Sequence, residues 1–244
     1  MSQELSKLNV SHIEDISSSQ NEPDWLKEYR KNSLSIYDEL PIEMSPLYNK
    51  YTDAKKMDPD KVSLSTSTTD TVPKFLEKRL GELENEICII QIGTNIFKIN
   101  LPDELKSKGL IISSISDAIQ NNSELVKKSL EASNSKDDKV TALNNAAFNS
   151  GIFVHIPRNL VIEKPIHMLI CLSDDGHSTI SRNIIFADES SKATIVQELY
   201  SPQTETQQAY LELLNTNIAA NAQLDVTTLQ MMDQHAVTFS TRHT

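Results

Sequence analysis

Gly151-Ile-Phe-Val-His-Ile-Pro-Arg-Asn-Leu-Val-Ile-Glu-Lys-Pro-Ile-His-Met-Leu-Ile-Cys-Leu172 is the stretch at which the chain changes its rhythm. Ile152, Val154 and Ile156 alternate with a period of two, and so do Ile166, Met168, Ile170 and Leu172. That period places one set of side chains on one face of a strand, whereas a helix would repeat every 3.6 residues. The alternation continues to the end through Ala193, Ile195, Gln197 and Leu199, then Ala209, Leu211 and Leu213, then Leu224, Val226 and Thr228. A weak echo accompanies it, since SSKATIVQE at Ser190 to Glu198 resembles NAQLDVTTL at Asn221 to Leu229, 31 residues later. Short strands joined by small polar corners suit a β-sandwich or a parallel β-helix. With only five glycines in 244 residues, the primed turns of a hairpin-rich sandwich are poorly supplied, and corners built on Asn and Asp favour the β-helix.

Before Gly151 the chain reads as mixed α and β. Residues 1–22 are polar and read as a flexible tail. Pro23 opens a helical pattern of Trp25, Leu26, Tyr29, Ile36, Tyr37 and Leu40 that Pro41 stops. Residues 41–72, with three prolines and the Ser/Thr run 63–71, read as loop with at most a short strand. A short helix at Lys74 to Leu83 is followed by ICIIQI, Gly93-Thr94-Asn95 and IFKINL, a β-hairpin signature. A strand at Leu110 to Ile112 and helices at Ser116 to Leu130 and Lys136 to Phe148 complete this half. The final AVTFSTRHT reads as a strand interrupted in mid-pattern, so the expectation is a chain incomplete at its C-terminus.

Composition narrows the chemistry. A formal charge of −11 and the lack of a Lys/Arg stripe interleaved with aromatics disfavour nucleic-acid binding. The apolar runs fall far short of the roughly 20 residues that cross a bilayer, and the first residues lack a secretory signal, which makes a cytoplasmic location the expectation. Cys88 and Cys171 have no CxxC spacing and read as small apolar residues between aliphatic neighbours.

His155, His167, Cys171 and His177 are the candidate metal ligands, because imidazole and thiolate are good donors. Yet the four-residue step from His167 to Cys171 on one strand spans about 13 Å, too far for one ion. The paired carboxylates Asp174-Asp175 and Asp188-Glu189 sit in turn contexts where solvated acids are common. Trp25 reads as a core aromatic or a partner anchor. P-loop, GxGxxG, GxSxG and HExxH patterns are absent. No catalytic, cofactor-binding or metal-binding residue is therefore assigned.

Two segments carry a family resemblance: EPDWLKEYRKNSLSIYDELPIE (Glu22 to Glu43) with SPLYNKYTD after it, and ALNNAAFNSGIFVHIPRNLVIEKPIH (Ala142 to His167) continuing through RNIIFADESSKATIVQELYSP (Arg182 to Pro202). They resemble the SufB/SufD family of iron-sulfur cluster assembly proteins, in which a Pro-x-Trp-Leu helix, an Ala-Leu-Asn helix, a Gly-x-Phe turn and an Arg-Asn-x-Ile strand follow in this order. The resemblance implies three parts: a tail at 1–22, an N-terminal α/β domain at 23–150, and at 151–244 the first coils of a right-handed single-stranded parallel β-helix, incomplete at its end. It implies a hetero-oligomer with a SufC-like ATPase and a SufB-like subunit, or self-pairing through the β-helix. An iron-sulfur cluster would form at the level of that complex, with no cofactor assigned to this segment. SufB-like scaffolds carry a cysteine within Glu-Gly-Cys-Thr-Ala-Pro, and here Glu198-Leu-Tyr-Ser-Pro202 places Tyr200 at that position. A phenol cannot accept persulfide sulfur as a thiolate does, so the expected role is that of a non-catalytic SufD-like subunit. The alternatives are a SufB-like scaffold and, from another class, a carbohydrate-active β-helix enzyme.

Overall fold

The computed structural model describes residues 2–4, 8–41, 63–65, 72–173 and 177–244. Its elements run β1 (Ser2–Glu4), α1 (Val10–Ser19), α2 (Asp24–Glu39), β2 (Ser63–Ser65), a 3₁₀ turn (Lys74–Leu76) leading into α3 (Glu77–Glu82), β3 (Ile87–Ile92), β4 (Asn95–Asn100), α4 (Asp103–Ser107) and β5 (Ile111–Ser114). They continue as α5 (Ile115–Asn121), α6 (Ser123–Glu131), α7 (Lys139–Ala147), β6 (Ile152–Ile156), β7 (Ile166–Cys171), β8 (Thr179–Ala187), β9 (Lys192–Tyr200), β10 (Gln208–Ile218), β11 (Gln223–Met231) and β12 (Ala236–His243).

Local chemistry explains most boundaries. Pro23 precedes α2 and Pro41 follows it, so the helix occupies the span between two residues that cannot sit inside one. Asp138 caps α7 by accepting from the Thr141 amide at 2.8 Å, and Ser114 caps α5 in the same way at 2.9 Å. The stretch 116–130 is two helices rather than one, because Asn122 leaves the helical region (φ −132°) between α5 and α6. Within the expected tail, Asn9 caps α1, and this helix buries Ile13 and Ile16.

Ten of the strands form two sheets, ordered β11-β9-β7-β3-β4 (the first sheet) and β12-β10-β8-β6-β5 (the second). From β6 onward successive strands alternate between the sheets, so neighbours within each sheet run parallel. The echo at 190 and 221 is a direct pairing, with Lys192 opposite Gln223 and Glu198 opposite Leu229. Asn159, Ser190 and Asn221 make the corners at φ 62°, 60° and 58°, a left-handed conformation that Asn tolerates better than Ser. Side chains of both sheets, among them Ile89, Met168, Ile195, Val154, Ile185 and Leu214, pack into one cluster. A second cluster joins the helices to the second sheet through Leu26, Leu34, Leu143, Phe148, Phe153 and Ile184.

This corrects the expected architecture. The structure is a mixed α/β arrangement of two five-stranded sheets with helices, and not an N-terminal α+β domain followed by a right-handed single-stranded parallel β-helix starting at residue 151. Strands from before Gly151 belong to both sheets: β3 pairs in parallel with β7 and antiparallel with β4, while β5 pairs antiparallel with β6. All six residues of β3 are buried, which a separate hairpin could not achieve without a partner on each side. Alternation reveals which face of a strand is apolar but not which strand lies beside it.

Gly151 is the joint between the helices and the sheets. Its φ of +153° is open to glycine, and a Cβ there would stand 1.9 Å from the Arg182 carbonyl oxygen. That close approach permits the Arg182 amide to donate to Ser150 at 2.9 Å and the Ile115 amide to donate to the Gly151 carbonyl at 2.9 Å.

Candidate functional site

Pairing registers put Cys88, Ile90 and Ile92 of β3, His167, Leu169 and Cys171 of β7, and Glu198 and Tyr200 of β9 on one face of the first sheet, the face turned away from the second. The 3₁₀ turn and α3 lie over this face, with Leu76 and Leu83 packed against Cys88, Ile90, Leu169 and Cys171. α3 thereby carries Arg79 to Glu198, 119 residues away in sequence.

Arg79 grips the Glu198 carboxylate with both arms, Nε to Oε2 at 2.8 Å and Nη2 to Oε1 at 2.7 Å, and its Nη1 donates to Glu82 at 2.9 Å. His167 Nδ1 lies 3.1 Å from Glu198 Oε1 and 3.5 Å from Arg79 Nη2. One nitrogen cannot donate to the first and accept from the second. The shorter contact to an acceptor-only carboxylate places the proton on Nδ1. The Tyr200 hydroxyl donates to Glu198 Oε2 at 3.1 Å, and its ring packs on Phe75 at 6.4 Å between centroids. Burial works to raise the Glu198 carboxyl, whose side chain is 2% exposed, but the bonds from Arg79, His167 and Tyr200 outweigh it and hold it below the usual carboxylate range. Burial beside that carboxylate pushes the Tyr200 phenol up to about 12. The result is an ionised, fully partnered acid that fixes α3 to the sheet.

A second polar group lies between the sheets. Glu212 of β10 is buried, and its Oε1 accepts from Asn183 at 2.7 Å, from Tyr210 at 3.2 Å and from Gln197, while Ser240 donates to Oε2 at 2.7 Å. Gln197 in turn accepts from Thr228 at 2.7 Å. These partners are neutral, and they come from β8, β9, β10, β11 and β12, so the carboxylate ties the two sheets together.

The candidate residues from the sequence are dispersed. His155 is on β6 in the second sheet, where Nε2 pairs with Asp188 at 2.8 Å, and Glu189 of the same turn pairs with Arg158 at 2.9 Å. His167 and Cys171 share a strand face, as the spacing indicated, while His177 lies outside the strands, its carbonyl accepting from Gln208 at 3.1 Å. Among the described residues no group of three or more His, Cys, Asp or Glu side chains could hold a metal ion. Asp174 and Asp175 fall outside the described residues. Trp25 packs against the helix and sheet core. Arg79 and Glu212 carried no signal of their own in the sequence. Glu212 was concealed because Ala209, Leu211 and Leu213 marked the other face of its strand.

Two interlocked sheets, a helical cover and two polar clusters that hold the elements together make up the described part of the chain. Comparison with known proteins gives the family. Residues 19–168 match the family model described as the SufBD protein N-terminal region, and residues 170–244 match the SufBD core domain of the SUF system for FeS cluster assembly. The chain belongs to the SufBD family. Similar proteins include an iron-sulfur cluster assembly SufBD family protein of Staphylococcus aureus strain USA300, 24% identical over 97% of this chain and 53% of that protein. Another, from Staphylococcus saprophyticus, is 23% identical over the same shares, so the chain spans about half the length of the curated relatives it matches.

Proposed function

We propose that the chain acts in iron-sulfur cluster assembly as a non-catalytic, SufD-like subunit that supports a scaffold built with a SufB-like subunit and a SufC-like ATPase in the cytoplasm. The observation that carries this reading is Tyr200. It occupies the position that the family resemblance assigns to a cysteine in SufB-like scaffolds, and it is packed on Phe75 and bonded to Glu198 as a structural side chain. A phenol neither carries persulfide sulfur nor binds iron as a thiolate does. In this reading residues 23–150 supply covering helices and the strands β3, β4 and β5 at one end of the two sheets, and residues 151–244 supply the remaining strands of both. ATP hydrolysis belongs to the partner, in keeping with the missing P-loop, and the cluster is cargo of the complex.

The test uses the full-length protein mixed at micromolar concentration with a SufC-like ATPase and a SufB-like subunit. A stable complex is expected by size-exclusion chromatography, and failure to bind the ATPase overturns the proposal. Reconstitution with iron and sulfide separates the two family roles. Visible absorption of a cluster is expected only when the SufB-like subunit is present. A cluster on this protein and the ATPase alone would make it a scaffold instead. No helix among the described residues is long and apolar enough to cross a membrane.

A further inference from the structure

Both cysteines of the chain lie on the same face of the first sheet, and both are fully buried outside any disulfide. Among the described residues the segment Lys74 to Leu83 lies over this face, with Val72 packed beside it. Its helix buries none of its own six residues, and its apolar hold on the sheet comes from the buried Leu76 and Leu83 near its two ends, with the partly buried Leu80 and the Phe75 ring against Tyr200 beside them. A helix of this length has no stability of its own, so its place is set by what anchors it. Between the two leucines the polar anchor is Arg79, joined twice to a Glu198 side chain that is 2% exposed. That ion pair fastens a segment whose other contacts with the sheet are two buried leucines and the partly exposed Leu80 and Phe75.

We propose that Lys74–Leu83 is a strap that opens locally when Arg79 leaves Glu198, and that opening turns Cys88 and Cys171 into sites of modification by small soft electrophiles. While the strap is closed, the Cys88 thiol donates to the Leu83 carbonyl at 3.7 Å, and burial raises it away from the reactive thiolate. The register sets Cys88 opposite His167 and Cys171 opposite Ile92, a separation of about 13 Å along the strands, beyond the reach of a disulfide. Each thiol therefore reacts singly with an outside reagent. This proposal does not depend on the role in cluster assembly.

Iodoacetamide is the probe: the sulfur forms a bond to carbon, iodide leaves with the bonding pair, and the thiol proton passes to water. The intact protein is pulsed with it across low urea concentrations, and alkylation is assigned to Cys88 or Cys171 by peptide mass. Local opening predicts labelling that barely depends on urea until global unfolding begins. Arg79→Gln and Glu198→Gln are expected to label about tenfold faster at zero urea, with global unfolding still cooperative. Labelling with the full urea slope of global unfolding overturns the proposal, and so do variant rates equal to wild type. If a variant does not fold by circular dichroism, the urea dependence of the wild-type protein decides alone.

Discussion

The two sheets share a plan of parallel central strands and one antiparallel edge, but their outer faces are covered in different ways. Helices cover the second sheet so completely that every residue of β8 is buried, and two arginines are sealed beneath them. Among the described residues the outer face of the first sheet carries the strap, and β11 beyond it exposes Leu229 and Met231. The sealed side shows what full burial demands. Arg30 is matched by a carboxylate, with bonds to Glu22 at 2.8 and 2.6 Å, and its guanidinium stacks on Phe148. Among the described residues Arg182 has neutral partners, Asn145 at 2.5 Å, Ser133 at 2.9 Å and the Tyr29 phenol, and burial pushes its pKa down to about 10. On the thinly covered side, Arg79 stays partly in water, and its pair with Glu198 fastens a cover rather than completing a core. The depth of cover, more than the residue type, decides what an arginine contributes.

The contrast can be broken most severely at Gly151, where helices and sheets meet. Gly151→Ala must drive a Cβ into the Arg182 backbone, and the expected loss is about 4 kcal/mol or a failure to fold, read from the urea midpoint. The two sealed arginines come next. Arg30→Met strands the Glu22 carboxylate and should cost about 3–5 kcal/mol, whereas Arg182→Met strands no charge and should cost only about 1–2 kcal/mol. Equal losses would show that the missing counter-ion of Arg182 has no consequence.

On the other sheet Glu198→Gln should cost about 1–2 kcal/mol at neutral pH. Its sign with pH follows from the depressed carboxyl. The contribution is fully present above the ordinary glutamate value, about 4.3, and is lost as pH falls through the lower folded value. The gap between wild type and variant should therefore shrink as pH falls below the ordinary glutamate value, measured by thermal unfolding. The smallest effect is expected at the corners that join the sheets. Ser190→Asn copies Asn159 and Asn221 at nearly the same φ and should stabilise by about 0.5 kcal/mol.

Much of this was legible before any coordinates. The spacing of Trp25, Leu26 and Tyr29 between two prolines marked α2, and Gly93-Thr94 between two aliphatic runs marked the β3–β4 hairpin. The weak echo at 190 and 221 lies in two strands that the structure pairs in the register of that echo, a pairing the similarity alone did not assign. What escaped were long-range partners: β3 against β7, 79 residues apart at Ile87 and Ile166, and Arg79 against Glu198. His167 and Cys171 were placed on one face, but the carboxylate that engages His167 lies on the next strand.

The sequence by itself determined α2, the β3–β4 hairpin, which faces of the later strands are apolar, and that the chain changes its rhythm at Gly151, because these follow from period and turn chemistry, while the weight placed on Tyr200 came from the family resemblance. Only the tertiary structure decided that strands on both sides of Gly151 share two sheets, that Glu212 is held by neutral donors between them, and that one arginine is strapped to a sheet while another is sealed beneath helices. Those outcomes depend on which apolar faces cover one another, and a face read from alternation is compatible with many partners until packing selects one.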